Sequence, residues 1–467
     1  MSRGLVVGEV ASRADLLVVG AGPGGYAAAL NAARLGREVT LVERAELGGT
    51  CLNVGCIPSK ALIEVADMAA LPNRVAGWGV TSSVEVDMAA VRSYLTRVVE
   101  DLTGGIAQLL NRAGVRVVPG TARFSRPDRL AVEHDGDLQH LEFHHAIVAT
   151  GSRPIELADL PVDGERVVGS DDLLFRDDVP EELVLVGGGY VGVELGCAYA
   201  KLGSRVTIVE AESRVLPGFD DRIGRAVTKG LRTLGVGLCC DHTALAVDDA
   251  GLRVQGPDGE MVLPAQVVGV VVGRRPNSDT VGIAEAGATV DQRGLVSVDP
   301  GRRATQSVFA IGDLTDGPAL AHKATAEAEV AADVACGYSN AFDPTCVPMI
   351  VFGDPQVVVV GVDEETATNQ GMDPRSFRFP LAASGRARTL GGDDGFVNVI
   401  ADGDGTVVGV QAVGAHVAEL AGEAALAVET AATVEDLAGT IHAHPTLGES
   451  ILEAALGLAG RPLHVGR

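Results

Sequence analysis

The sequence predicts an α/β protein in which two nucleotide-binding units of parallel-strand type precede a C-terminal α+β domain. Three observations predict it. A short apolar strand, a glycine-rich turn, an alanine-rich helix and a second strand ending in an acid occur over residues 16–43 and again over 183–210. Between the copies lies Gly48-Gly49-Thr50-Cys51-Leu52-Asn53-Val54-Gly55-Cys56-Ile57-Pro58-Ser59-Lys60, whose two thiols are separated by four residues. Beyond Val347 the pattern changes to strands at 396–400 and 406–413 and an alanine-rich helix at 417–432, which suits an α+β domain.

In the first unit, Leu16-Leu17-Val18-Val19 is the strand and Gly20-Ala21-Gly22-Pro23-Gly24-Gly25 the turn, with a helix from Tyr26 to Gly36. Gly20 permits the tight turn, Gly22 lets a pyrophosphate approach the backbone, and Gly25 lets helix and strand pack closely. The helix N-terminus offers unpaired N–H groups to phosphates. Glu43, closing the strand from Val39, stands where an acid accepts hydrogen bonds from ribose hydroxyls.

The second unit repeats this with the turn Gly187-Gly188-Gly189-Tyr190-Val191-Gly192, a helix over 193–203 and a strand ending in Glu210. First glycine and acid are 23 positions apart in both copies, at 20 and 43 and at 187 and 210. One glycine-rich turn is common; two at matched spacing indicate two Rossmann-like domains and two nucleotides. Glu210 favours NAD over NADP, since a carboxylate suits a ribose diol and repels a 2′-phosphate. Arg214, the one basic residue nearby, reads as a surface or pairing group.

The cysteine pair reads as a redox centre. Residues five apart on a straight helix differ by about 7.5 Å of rise and roughly 140° of rotation, whereas a disulfide wants Cα atoms about 4.4–6.8 Å apart. A Cys51–Cys56 bridge therefore needs a bent or irregular helix, which Gly55 and Pro58 permit. The alternatives are two buried thiols or a zinc pair, for which no second pair at ligand spacing appears.

The bulk numbers agree. A chain of 467 residues, 46% hydrophobic, suits three or four units with substantial cores. The net charge of −25 speaks against nucleic acid and anionic lipid, and suits steering of a basic partner. The seven cysteines (Cys51, Cys56, Cys197, Cys239, Cys240, Cys336 and Cys346) are odd in number and scattered, unlike a secreted disulfide framework. Cys239-Cys240, adjacent in an expected strand, read as packing. The apolar run 16–30 is broken by glycines and Pro23, so it is a strand entering a turn rather than a signal core, and no membrane span stands out. A cytoplasmic location is expected, where a reactive pair is catalytic.

Near the C-terminus stands Ile441-His442-Ala443-His444-Pro445-Thr446-Leu447-Gly448-Glu449. A dithiol must lose a proton before attacking a disulfide, because the thiolate is the nucleophile. Histidine has the right intrinsic pKa, and a carboxylate partner orients it. Spacing alone does not choose between His442 and His444.

The run from Gly48 to Lys60 resembles the active site of the flavin-dependent pyridine nucleotide-disulfide oxidoreductases, in wording nearest the dihydrolipoamide dehydrogenases. Motifs of that family recur from Gly20 to Glu449. The resemblance implies FAD in the first unit, NAD in the second, and a C-terminal domain that pairs the chain as a homodimer. It implies boundaries at 1–155 and 281–346 for the two parts of the FAD and central region, 156–280 for the NAD domain and 347–467 for the interface domain. It makes His444 the base and Glu449 its partner, supplied by the other subunit. It sets the Lys60 ammonium near the flavin, paired with Glu194, and adds Thr50 to the cofactor site. Ile147-Val148-Ala149-Thr150-Gly151-Ser152-Arg153-Pro154 matches the exit from the FAD domain, and Val272-Gly273-Arg274-Arg275-Pro276-Asn277 the exit from the NAD domain. Asp313, in Phe309-Ala310-Ile311-Gly312-Asp313, matches the acid that bonds the ribityl chain. Ala321 and Ala122 match backbone contacts to flavin and adenine.

The implied reaction oxidises dihydrolipoamide on a lipoyl-bearing protein of a 2-oxoacid dehydrogenase or glycine-cleavage complex. The substrate thiolate attacks Cys51, Cys56 faces the flavin, and NAD⁺ becomes NADH. The alternative is an NAD(P)H-dependent reductase of a small disulfide or of mercuric ion. Glu210 speaks against NADPH, and Leu463-His464-Val465-Gly466-Arg467 lacks the cysteine pair of mercuric reductases. A scaffold without turnover is a further alternative, against which the intact Cys51, Cys56, Lys60, His444 and Glu449 speak. Four stretches depart from the family: Phe352-Gly353-Asp354-Pro355-Gln356, Ser384-Gly385-Arg386-Ala387, Asn398, and 325–330, which reads as lacking an acidic cluster and glycine. All four are expected to lie away from the redox core.

Overall fold

The computed structural model describes residues 12–466; residues 1–11, where the first expected domain opens, and Arg467 lie outside the described residues. The chain divides into two compact units. One gathers the residues up to Ser59 with Ser93–Ile155 and Gly273–Asp343, and the other gathers Lys60–Arg92, Glu156–Val272 and the residues from Pro344 onward. The α/β class read from the sequence holds, with an antiparallel sheet in the C-terminal part.

The first unit is built on a sheet with the order Arg116–Pro119, Val39–Glu43, Ser12–Val19, Asp137–Val148, Arg129–His134, Thr121–Arg126. Its first four strands are parallel, the last two pair antiparallel, and Val308–Ala310 joins Asp137–Val148 in parallel. Successive side chains of a strand point to opposite faces. Leu16 and Val18 pack with Ala28, Ala29 and Ala32 of the helix Pro23–Arg34, while Leu17 and Val19 pack with Leu141, Ala146 and Val148. Burial on both faces explains why this strand reads as an unbroken apolar run rather than an alternation.

The second unit holds a parallel sheet in the order Gly237–Cys239, Arg205–Val209, Glu182–Val186, Val267–Val270, Val167–Val168. A three-stranded antiparallel sheet, Thr243–Asp248, Gly251–Gly256 and Gly259–Leu263, accompanies it. The C-terminal sheet is antiparallel, in the order Met349–Val351, Gln356–Gly361, Val407–Gly414, Phe396–Ala401, Arg375–Pro380. The helices Ala421–Glu429 and Glu449–Leu458 bury Ala424, Val428, Ile451 and Ala454 in the core of that sheet.

Three element readings need correction. The helices after the two glycine turns begin earlier than expected, at Pro23 and at Tyr190. The last turn residues are already helical, and Pro23 at the first helical position lacks only an N–H that would go unpaired anyway. The helix expected over 417–432 is a short turn, Val417–Leu420, followed by Ala421–Glu429. It stops because the Ala432 carbonyl accepts from the Val407 N–H at 2.8 Å, drawing the backbone to the sheet. Cys240 falls just past the strand that holds Cys239. No helix among the described residues is long and apolar enough to cross a membrane.

Candidate active site

The two glycine turns have the same build. Gly20 sits at φ +95°, and a Cβ there would fall 2.5 Å from the Ala149 oxygen. A Cβ on Gly25 would fall 1.8 Å from the Gly20 oxygen. Only glycine fits at either position. In the second copy a Cβ on Gly187 would meet the Val271 oxygen at 2.6 Å, and one on Gly192 would meet the Gly187 oxygen at 2.0 Å. The middle glycines differ: Gly22 faces only the Gly49 Cα at 3.9 Å, and Gly189 faces open space. Both helices start there without a side-chain cap, so their first N–H groups point to an anion site.

The closing acids are pinned alike. One oxygen of Glu43 accepts from the Ala21 N–H at 2.5 Å and the other from the Ala45 N–H at 2.9 Å. Glu210 accepts from the Gly188 N–H at 2.6 Å and the Glu212 N–H at 2.9 Å. Each carboxylate oxygen keeps a lone pair for a hydroxyl. Open middle glycines, uncapped helix starts and pinned acids together fit the diphosphate and ribose of a dinucleotide in both copies. Tyr190 is 40% exposed beside the second turn, and Val191 is half-buried. Gly25→Ala should destabilise the ligand-free protein by ~1–3 kcal/mol or more, because overpacking strains backbone. Gly22→Ala should leave the melting of the ligand-free protein unchanged yet lower its nucleotide content; thermal melts with and without FAD check both.

The thiols occupy a broken helix, as the geometry requires. Gly49–Val54 and Cys56–Val75 are separate helices, and Gly55 between them has φ −139° and ψ −111°. Cys51 is half-buried and Cys56, the first residue of the second helix, is exposed. The first helix abuts the nucleotide turn: a Cβ on Gly49 would stand 2.7 Å from the Gly22 Cα, and the Gly48 N–H donates to the Ala21 oxygen at 2.8 Å. Burial, with the nearby Cys51 sulfur, pushes the Tyr26 phenol up.

Other residues singled out in the sequence gather in the same unit. Asp313 lies in the turn Gly312–Leu314, where one of its oxygens accepts from the Ser152 hydroxyl at 2.5 Å. Ser152 accepts in turn from the Arg274 guanidinium at 2.8 Å, and Arg274 reaches the exposed Thr50 hydroxyl at 3.5 Å. Gly151 and Gly273 have φ of +64° and +117°, and each borders one strand of the antiparallel pair Ser152–Pro154 and Arg274–Pro276. Ala321 opens the helix Ala321–Ala335. Ala122 is buried in the strand Thr121–Arg126, just beyond Gly120, whose N–H donates to the Glu43 backbone oxygen at 2.8 Å.

Lys60 and Glu194 meet at 2.8 Å, with the Glu194 side chain only 5% exposed. The other Glu194 oxygen accepts from the Phe352 N–H at 2.8 Å, and the Lys60 ammonium lies 4.8 Å from the Phe352 ring centre. The expectation that the 352–356 departure lies away from this pair is therefore wrong. No periodicity links residues 60, 194 and 352, so only the fold brings them together.

The two histidines separate by environment. His442 is committed at both ring nitrogens, to Glu423 at 2.6 Å and to the Thr440 oxygen at 3.0 Å, and its side chain is 7% exposed. His444 is 78% exposed, with Nδ1 at 2.9 Å from Glu449. Burial acts to raise the Glu449 carboxyl, but the Thr446 N–H and His444 outweigh it and hold it below the usual range.

Sequence reading missed a buried cluster behind Asp313. Glu327, fully buried, accepts from the Gly312 N–H at 2.6 Å, the Thr315 hydroxyl at 2.8 Å and Arg302 at 2.9 Å. Lys323 donates to the Gly312 oxygen at 3.0 Å. The stretch 325–330 thus carries a working acid, and the Lys323–Glu327 spacing of one helical turn was the available signal. Of the other departures, Ser384 caps the helix Gly385–Thr389, while Asn398 is buried opposite Gln411.

Comparison with known proteins gives consistent findings. Residues 14–328 match the pyridine nucleotide-disulphide oxidoreductase family, and 347–455 match the dimerisation domain of that family. The chain is 44% identical to dihydrolipoyl dehydrogenase 2 of Haloarcula marismortui, covering 98% of this chain and 100% of the relative. It is 44% identical to dihydrolipoyl dehydrogenase of Pseudomonas aeruginosa, covering 97% and 99%. Among solved structures, LpdA of Mycobacterium tuberculosis superposes with a TM-score of 0.88 at 28% identity, over 96% of this chain and 99% of that one.

Proposed function

Because the chain belongs to the pyridine nucleotide-disulphide oxidoreductases, we propose that it oxidises a protein-bound dihydrolipoyl group through Cys51 and Cys56, with FAD and NAD⁺ as electron carriers. One observation carries this reading: the helix that bears Cys51 starts in van der Waals contact with the first nucleotide turn, through Gly49 on Gly22. A sulfur pair there adjoins whatever dinucleotide that turn holds. The full-length likeness to proteins named dihydrolipoyl dehydrogenase supports the substrate class.

Gly20, Gly22, Gly25, Glu43, Thr50, Ala122, Gly151, Asp313 and Ala321 are the residues that would hold FAD. Gly187, Gly189, Tyr190, Val191, Gly192, Glu210 and Gly273 would hold NAD. When bound, FAD supplies the two-electron chemistry that links the sulfur pair to NAD⁺. Lys60, fixed by Glu194, sets a positive charge beside the reacting groups.

His444 takes the proton of the incoming dithiol at Nε2 while Glu449 holds Nδ1–H, which fixes the tautomer. The substrate thiolate attacks the Cys51 sulfur, the Cys51–Cys56 bond breaks, and Cys56 leaves as thiolate. The second substrate thiol then displaces Cys51, closing the cyclic disulfide, and both protein sulfurs end reduced. The match of 347–455 to a dimerisation domain supports a homodimer, in which the partner subunit supplies the base. The lipoyl carrier is a subunit of a 2-oxoacid dehydrogenase or glycine-cleavage complex, and the scattered cysteines suit a cytoplasmic location.

Initial rates test this. Dihydrolipoamide with NAD⁺ should turn over at least tenfold faster than NADPH with glutathione disulfide or mercuric ion; the reverse order would overturn the reading. Glu210→Arg should lower the NAD⁺ over NADP⁺ preference at least tenfold, because it removes both backbone bonds and adds a charge suited to a 2′-phosphate. The ratio of kcat/KM values for the two nucleotides measures it.

A further inference from the structure

The Lys60–Glu194 pair is one rung of a two-rung clamp. Seven residues along the same helix from Lys60 stands Asp67, and seven along from Glu194 stands Lys201. Seven residues make about two helical turns, so each pair shares a face. The charges are reversed between rungs: Lys60 meets Glu194 at 2.8 Å, and Lys201 meets Asp67 at 2.5 Å. The segment Phe352-Gly353-Asp354 ties the rungs together. Its Phe352 N–H donates to Glu194, and its Asp354 N–H donates to the buried Cys197 sulfur at 3.4 Å. The Asp354 carboxylate meets Lys201 at 2.7 Å. The segment packs closely here, since a Cβ on Gly353 would stand 3.0 Å from a Val193 methyl.

The second rung is charged and buried at its lysine end, while the Asp67 and Asp354 side chains are 28% and 50% exposed. The Lys201 side chain is 8% exposed. Burial alone would push its ammonium down, but Asp354 and Asp67 overcome this and raise it. An ion pair with a buried lysine is weak as a source of stability, but removing that lysine leaves its carboxylate partners uncompensated. Here the stranded groups would be the carboxylates of Asp67 and Asp354, which repel each other once Lys201 is gone.

We propose that Lys201, with Asp67 and Asp354, is a positioning device that holds the Lys60 ammonium at its working position. The proposal rests on the function given above for Lys60 and goes beyond it by naming what fixes that group. If the clamp opens, Lys60 leaves Glu194 for water. A positive charge is then lost from beside a group that takes up electrons, and its reduction becomes less favourable.

The test is the midpoint potential of the bound flavin in the dimeric holoenzyme, with steady-state kinetics and melting alongside. Lys201→Met should shift the flavin reduction equilibrium about tenfold toward the oxidised form, roughly 30 mV for a two-electron couple. It should lower kcat about tenfold with KM within about twofold. Lys201→Arg should restore both. If Lys201→Met does not fold, Asp67→Asn decides by the same readouts, with a smaller shift in the same direction. A lower melting temperature with an unchanged potential would mean a merely structural pair and overturn the proposal. Wild-type protein that fails to couple dihydrolipoamide to NAD⁺ would instead overturn the functional reading, leaving the clamp to be judged by the potential alone.

Discussion

Cys51→Ser or Cys56→Ser should abolish dihydrolipoamide–NAD⁺ turnover while leaving FAD bound at close to one per chain. The reasoning follows from where the two residues stand. Serine oxygen does not form the bond that a thiolate attacks, so either change removes the electron path. Neither side chain is a fully buried core group: Cys51 is half-buried and Cys56 exposed. The cradle that accepts the nucleotide depends on Gly20, Gly22, Gly25 and Glu43, whose nearest approaches and hydrogen bonds are to backbone atoms of the turn and of Ala149, Gly49 and Ala45. The flavin spectrum and the rate of NADH formation check the two halves separately. Loss of flavin in both variants would mean that the cysteines build the cradle rather than serve it.

His444→Gln should slow dithiol oxidation by about 10²–10⁴-fold, the usual contribution of a positioned general base. Glutamine keeps a hydrogen bond to Glu449 but accepts no proton. The same change at His442 should act otherwise. That ring is enclosed, with Glu423 and Thr440 holding both nitrogens, so its loss should lower stability more than rate. The Glu449 carboxyl is depressed, so its contribution is present above the ordinary carboxyl range and is lost only as pH falls through its lowered value. The base therefore keeps its charged partner throughout the range near pH 6.5 where an imidazole ordinarily titrates. Single-turnover reduction by dihydrolipoamide, followed against pH, measures both effects. A wild-type rate in His444→Gln would remove it as the base.

The parts of the site that were legible in the sequence are those where local geometry forces residue choice. Gly20, Gly25, Gly187 and Gly192 are glycine because carbonyl oxygens occupy the space of a side chain, and such positions leave a fixed spacing in the chain. The break at Gly55 was legible because two sulfurs five positions apart cannot meet on a regular helix. The strand Ser12–Val19 was legible from its apolar run. What was not legible depends on partners far apart in sequence. Lys201 finds Asp67 and Asp354, and Glu194 finds the Phe352 N–H, only once helices and sheet have been assembled. The end of the helix Ala421–Glu429 is set by a hydrogen bond to the strand Val407–Gly414, which no local propensity encodes. His442 and His444 look alike as a pair of letters and differ only in what surrounds them.

The most direct measurement is an anaerobic titration of the purified FAD-bound protein with about one equivalent of dihydrolipoamide, without NAD⁺, followed by alkylation and peptide mass analysis. The expected result is that Cys51 and Cys56, protected beforehand, both become alkylated, with about one dithiol oxidised per chain. Unchanged labelling of these two cysteines while the flavin is nevertheless reduced would show electrons bypassing the sulfur pair, and would contradict the mechanism at its centre.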